Sequence, residues 1–91
     1  MRVEYLSSYD RSFQKLPTSI QHRTISAIDA LLDYFSTGQR SHGLGLKRLR
    51  RAYWEIRIGL GMRVLFELQR DRLTFILAGD HEDIRRWLRT S

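Results

Sequence analysis

The side chains best equipped for chemistry lie in the second half of the chain: Glu55, Arg57, Arg63 and His81. A carboxylate such as Glu55 can take the proton of an attacking hydroxyl, and an imidazole such as that of His81 can give one to a leaving alkoxide, histidine being in general the side chain suited to proton transfer near neutrality. Two guanidinium groups can hold the charge that develops on a phosphorus centre between them. Around Glu55 and Arg57, and again around Arg63, charged and apolar residues alternate with period two, so these groups belong to strands and share a face.

Their register follows from one turn. If Gly59-Leu60-Gly61 is a three-residue hairpin loop with Gly61 in the left-handed conformation, Ile58 pairs with Met62. Trp54 then stands opposite Phe66 and Ile56 opposite Val64, with Phe75 and Leu77 of a following strand continuing this core face. A two-residue loop would instead set Arg63 across from Ile58 and spoil the apolar pairing. On the other face Arg57 lies directly opposite Arg63, with Glu55 one step along and Leu65 and Ala78 beside them. Like charges opposed on a sheet are destabilising unless an anion sits between them, and a phosphate would serve. The bland alternative is that Glu55 bridges the two arginines as a solvated surface network of little consequence.

Charge points the same way. Sixteen Lys+Arg against ten Asp+Glu give +6, and 14 of the cations are arginine, whose planar fork matches phosphate oxygens. Residues 1–45 carry five cations and four anions, and residues 46–91 carry 11 and six, so the excess sits in the second half. Lys47, Arg48, Arg50 and Arg51 form a basic run expected to bind substrate. Cysteine is absent, which excludes disulfides, thiolate catalysis and Cys-based zinc sites. His22, His42 and His81 lack the spacing of a helical metal pair, so neither a metal nor another cofactor is expected, and His22 and His42 read as surface residues.

The elements that must position these groups form an α+β unit, expected to be a single domain over residues 1–91. Arg2 to Leu6 alternates as a short strand. Ser7 or Ser8 then caps a brief helix carrying Tyr9, Phe13 and Leu16, which Pro17 stops. Thr18 with Gln21 has the form of a capping box for a second helix, whose stripe of Ile25, Ile28, Leu31, Leu32 and Phe35 runs to the breaker at Ser36-Thr37-Gly38. The two helices read as an antiparallel hairpin. Residues 38–45 read as a loop leading into the basic run. Tyr53 to Ile58, Met62 to Leu68 and Leu73 to Ala78 make a three-stranded antiparallel meander. Asp80 caps a short C-terminal helix in which Ile84, Trp87 and Leu88 share a face. With no apolar run long enough for a membrane span and no signal-peptide stretch, the expected compartment is the cytoplasm.

Tyr53-Trp54-Glu55-Ile56-Arg57-Ile58, Gly61-Met62-Arg63-Val64-Leu65-Phe66 and Ala78-Gly79-Asp80-His81 together resemble the RelE/ParE superfamily of type II toxins over nearly the whole chain. The most specific elements are Arg63, which opens the "R-[LV]-[LV]-[YF]" strand, and the Gly-x-[HKR] step from Gly79 to His81. The resemblance implies a sheet with two helices on one face and an open groove on the other. Many RelE-like members are mRNA interferases, often acting in the ribosomal A site, whereas ParE-like members poison DNA gyrase and lack the catalytic set. The resemblance makes Arg63 the phosphate-gripping arginine. It sets Glu55 and Arg57 on strand positions that carry lysines in RelE itself, and His81 where a basic residue acts on the leaving group. A Glu with an Arg and a His is the YoeB-like set. The family's C-terminal tyrosine is Trp87 here, which can stack on a base but cannot donate a phenolic proton.

The expected activity is therefore messenger RNA cleavage, giving a 2′,3′-cyclic phosphate and a 5′-hydroxyl without a metal. Competing with it are ParE-like gyrase inhibition without catalysis and an inactive RNA- or ribosome-binding remnant. Expected partners are messenger RNA and the ribosome, together with a cognate acidic, partly disordered antitoxin that folds over the groove. Operator DNA would be reached only through that antitoxin, and no membrane is involved.

Overall fold

The computed structural model describes residues 1–40, 43–59 and 61–90. His42, and Leu60 in the middle of the hairpin loop, lie outside them. The chain runs β1 (Arg2–Tyr5), α1 (Ser7–Gln14), α2 (Thr18–Thr37), β2 (Gly45–Arg50), β3 (Tyr53–Arg57), β4 (Arg63–Gln69), β5 (Arg72–Gly79) and α3 (His81–Thr90). The strands form one sheet in the order β1-β5-β4-β3-β2, with β1 parallel to β5 and every other pair antiparallel. This is the α+β architecture expected, with the meander extended by β2. No helix among the described residues is long and apolar enough to cross a membrane.

The basic run hides a strand. Leu46 pairs with Ile56 and Lys47 with Glu55, but a register shift between Arg48 and Arg50 breaks the period-two pattern. Charged side chains on an edge strand also discourage pairing with another chain. Both properties make Gly45–Arg50 look like loop in the sequence.

Apolar residues of α1, α2 and one sheet face build the larger core, which includes Tyr9, Ile28, Leu31, Ile56, Val64, Phe66 and Phe75. Phe66 and Phe75 are fully buried and in contact, their ring centroids 5.9 Å apart. Burial of each contributes about 1.5–3 kcal/mol. In α2 the inward row is Thr24, Ile28 and Leu31, at i, i+4 and i+7. Ile25, expected in the apolar stripe, lies on the flank and is 48% exposed. Thr24 tolerates burial because its hydroxyl donates to the Ile20 carbonyl at 2.8 Å. The expected capping box does not form. Pro17 takes the N-cap position and Thr18 is already helical, while Gln21 Nε2 donates to the Phe13 carbonyl at 3.0 Å and ties α2 to α1. Nor does a serine cap α1, whose N-cap is Leu6.

The serines of α1 do something else. β1 covers the edge of β5 as far as Phe75, where Leu6 N–H donates to the Phe75 carbonyl at 3.0 Å. Beyond that point α1 takes over: Ser8 Oγ donates to the Ile76 carbonyl at 2.5 Å, and Ala78 N–H donates to Ser12 Oγ at 2.9 Å. Side-chain hydroxyls thus satisfy a strand edge that no neighbouring strand reaches.

A bulge in β5 re-aims the end of that strand. Leu65 pairs with Leu77 and Phe66 with Phe75, leaving Ile76 as the extra residue. Leu77 therefore lies on the charged face instead of the core face, and Ala78, opposite Val64, joins the core under α1 and α2. Both placements reverse the expectation from strict alternation.

Candidate functional site

The hairpin that sets the site has the register its loop implies. Ile58 N–H donates to the Met62 carbonyl at 2.8 Å, and Gly61 has φ +76°, a conformation glycine adopts without cost. Trp54 pairs with Phe66, Ile56 with Val64, and Arg57 stands directly opposite Arg63. Lys47 pairs with Glu55 from the other side. Lys47, Glu55, Arg57 and Arg63 therefore share one corner of the sheet, on the face away from α1 and α2.

Glu55 is not the solvated bridge of the bland alternative. Its side chain is 6% exposed, and Arg63 Nε donates to its Oε2 at 3.0 Å along the diagonal between β3 and β4. Burying a carboxylate is costly unless it is paired, and Arg63 is the partner that offsets the burial of Glu55. Arginine carries five N–H donors, and this contact uses one. The Nη groups of Arg63 make no hydrogen bond among the described residues, and neither does the exposed Arg57 side chain. Two forks are thus available to an anion at the corner.

Gly45 shapes that corner and was missed in the sequence. It pairs with Arg57, and a Cβ there would lie 3.1 Å from Arg57 Cβ and 3.3 Å from its Nε. Its missing side chain lets the Arg57 stem lie across β2.

His81 opens α3 and is exposed, with no side-chain hydrogen bond or ion pair among the described residues. Ala78, expected beside Arg63 on this face, lies on the other one, and the residue opposite Arg63 is Gly79. Two chain steps separate Gly79 from His81, so the His81 backbone lies within about 12 Å of Arg63, inside the combined reach of the two side chains to a shared phosphate. The helix start is well built. Asp83 N–H donates to Asp80 Oδ1 at 2.9 Å, and Asp80 N–H returns a bond to Asp83 Oδ2 at 3.0 Å. The Asp83 amide is the main cause holding the Asp80 carboxyl below its ordinary value, with the Asp83 side chain, the Glu82 amide and the charge of Arg86 adding to it. Gly79 leaves room for this exchange, since a Cβ there would stand 2.6 Å from Asp83 Oδ2.

α3 packs across the charged face and covers its apolar part. Ile84 is buried with Leu65 and Ile76, and Leu49, Tyr53, Leu77, Trp87 and Leu88 close around them. Trp87 meets Tyr53 edge-on at 5.3 Å and 72°. It is packing for α3 first, and its remaining surface lines a groove of about 590 Å³ shared with Arg11, Lys15, Leu77 and Arg86.

The basic run is divided. Lys47 alone joins the corner. Arg48 pairs with Trp54 on the helix side and donates to the Arg51 carbonyl at 2.9 Å. Arg50 donates to the Leu88 carbonyl of α3, and Arg51 sits in the turn after β2 with φ +52°.

The strand order, the helix pair and the position of α3 define a RelE/ParE-type fold, the one the motifs resemble. Solved structures sharing it include three toxins or toxin complexes. A RelB-RelE antitoxin-toxin complex from Methanococcus jannaschii superposes with a TM-score of 0.71 at 16% identity, over 92% of this chain and 96% of that one. The DinJ-YafQ complex of E. coli gives 0.66 at 13% identity, over 92% and 98%. A YoeB/ParE toxin from Agrobacterium tumefaciens gives 0.65 at 19% identity, over 89% and 99%. No protein-family model and no curated protein sequence matches the chain.

Proposed function

We propose that this protein is the toxin of a type II toxin-antitoxin system and acts as a metal-independent endoribonuclease on messenger RNA, on the ribosome. The observation that carries the reading is the corner itself: a buried carboxylate held at 3.0 Å by Arg63, flanked on the same face by Arg57 and Lys47. Glu55 takes the proton of a ribose 2′-hydroxyl as its oxygen attacks the adjacent phosphorus. Arg57 and the free donors of Arg63 hold the equatorial oxygens as charge gathers there. The bond from phosphorus to the 5′-oxygen breaks, and His81 protonates that oxygen. The products are a 2′,3′-cyclic phosphate and a 5′-hydroxyl, and side chains supply every role.

An antitoxin partner is supported by the RelB-RelE and DinJ-YafQ neighbours, which were solved as complexes. A net charge of +6 favours an acidic one. The test is to incubate the protein with ribosomes programmed with a messenger RNA and analyse fragment ends. Cyclic phosphate at the 3′ ends and hydroxyl at the 5′ ends are expected. Intact message together with loss of DNA supercoiling would move the assignment to gyrase inhibition.

A further inference from the structure

Among the described residues, two that are not glycine have positive φ, and both are arginines: Arg51 at +52° and Arg70 at +54°. Each lies in a hairpin turn, one between β2 and β3 and one between β4 and β5. The antiparallel order sets both turns at the same end of the sheet, opposite the end that carries Arg57 and Arg63. Leu68 N–H donates to the Ala52 carbonyl at 2.8 Å, joining the β4 end to the β2–β3 turn. β1 begins here too: Arg2 registers with Arg72, and Arg2 N–H donates to the Asp71 carbonyl at 2.7 Å.

Glycine or asparagine occupies left-handed positions far more readily than arginine does. An arginine held there, twice at one end of a sheet, points to use of the side chain. The guanidinium groups of Arg2, Arg51, Arg70 and Arg72 form no ion pair among the described residues, and the one side-chain hydrogen bond is from Arg72 Nη2 to Gln69 Oε1 at 3.5 Å. Arg2, Arg70 and Arg72, with Gln69 and Asp71, line a groove of about 410 Å³. Every residue lining it is charged or an amide, none is aliphatic or aromatic, and Asp71 is its one carboxylate. A protein partner would need apolar or aromatic anchors, whereas a phosphate backbone needs only donors.

We propose that this end of the sheet is a second RNA-backbone site, in which Arg2, Arg51, Arg70 and Arg72 engage phosphates of a structured RNA. It rests on the proposed reading that RNA is the substrate. β4 spans seven residues, so the site stands about 20 Å from the corner at Arg63, too far for one phosphate and well within reach of a folded RNA. Its role is to dock the RNA, while the corner cuts it.

The test measures the salt dependence of binding to a fluorescent 2′-O-methyl RNA hairpin, which cannot supply the attacking hydroxyl. Arg51→Gly with Arg70→Gly removes two charges at positions where glycine suits the backbone, so the double variant should melt no lower than wild type. Its slope of log affinity against log salt should be shallower by about two, and by about four once Arg2→Gln and Arg72→Gln are added. An unchanged slope in the folded double variant would overturn the docking site. Polyglutamate competing as well as RNA for the wild type, or a DNA hairpin bound more tightly with that preference lost in the variant, would overturn its assignment to RNA. Cleavage of programmed messenger RNA by wild type, run in parallel, reports separately on the nuclease reading.

Discussion

Arg63 reaches diagonally to Glu55 at 3.0 Å while standing directly opposite Arg57, so one guanidinium neutralises a buried carboxylate and confronts an exposed cation at once. The first relationship bears on stability and the second on the proposed anion site. From repulsion alone, Arg63→Ala would leave the fold untouched or improved. The ion pair reverses that expectation. Because Arg63 is itself 22% exposed, its removal should cost about 3 kcal/mol, at the low end for orphaning a buried charge. Glu55→Gln combined with Arg63→Ala should recover most of the loss in urea denaturation while remaining inactive. Equal stability of Arg63→Ala and wild type would show that the pair is not structural.

Gly45 should matter to activity without contributing a functional group. A methyl at this position presses on the Arg57 Cβ at 3.1 Å and displaces the guanidinium from its course across β2. Gly45→Ala should lower the cleavage rate about tenfold, one decade of misplacement, with little change in melting temperature. Full activity would show that Arg57 positioning is unimportant.

The register of β3 against β4 was legible in the sequence because Gly61 and the apolar pairs on either side leave one satisfactory alignment. The two register irregularities were not. Each displaces the alternation by one residue, and the bulge at Ile76 is supported by Ser8 and Ser12, residues more than 60 positions away. The same limit applies to the site: Glu55, Arg57, Arg63 and His81 could be named, but the burial of Glu55 depends on tertiary packing. The even look of the basic run likewise gave no sign that a bulge and a turn would send Arg48, Arg50 and Arg51 in different directions.

Trp87 separates packing from recognition. Trp87→Leu preserves apolar volume in part and removes the aromatic face, so a purely structural role should leave RNA affinity within about twofold, a change of about 0.4 kcal/mol, while the lost edge-on contact with Tyr53 costs about 1 kcal/mol of stability. A base-stacking platform would instead lose about 1–3 kcal/mol of binding. Fluorescence titration with the 2′-O-methyl hairpin, alongside thermal melts, decides between them.

The start of α3 should be acid-sensitive. The Asp80 carboxyl is held below its ordinary value of 3.8, chiefly by the Asp83 amide. A lowered folded value means the charged form stabilises the native state, so this contribution is complete above 3.8 and is lost as pH falls through the folded value. Asp80→Asn, which still caps the helix, should weaken that acid dependence. Melting curves taken between neutrality and pH about 3 check it, and identical acid profiles would contradict the assignment.

The proposal that this corner cuts RNA meets its sharpest test at His81. His81 is exposed and has no side-chain partner among the described residues, so His81→Gln should leave folding and substrate affinity intact. Single-turnover cleavage of messenger RNA in programmed ribosomes, with wild type and His81→Gln side by side, should show a loss of about 10² to 10⁴ in rate, the usual cost of removing one proton-transfer group. Exogenous imidazole should restore part of it, and a better leaving group at the scissile phosphate should shrink the difference. Equal rates would remove His81 from the chemistry, and absence of cleavage by wild type would contradict the account as a whole.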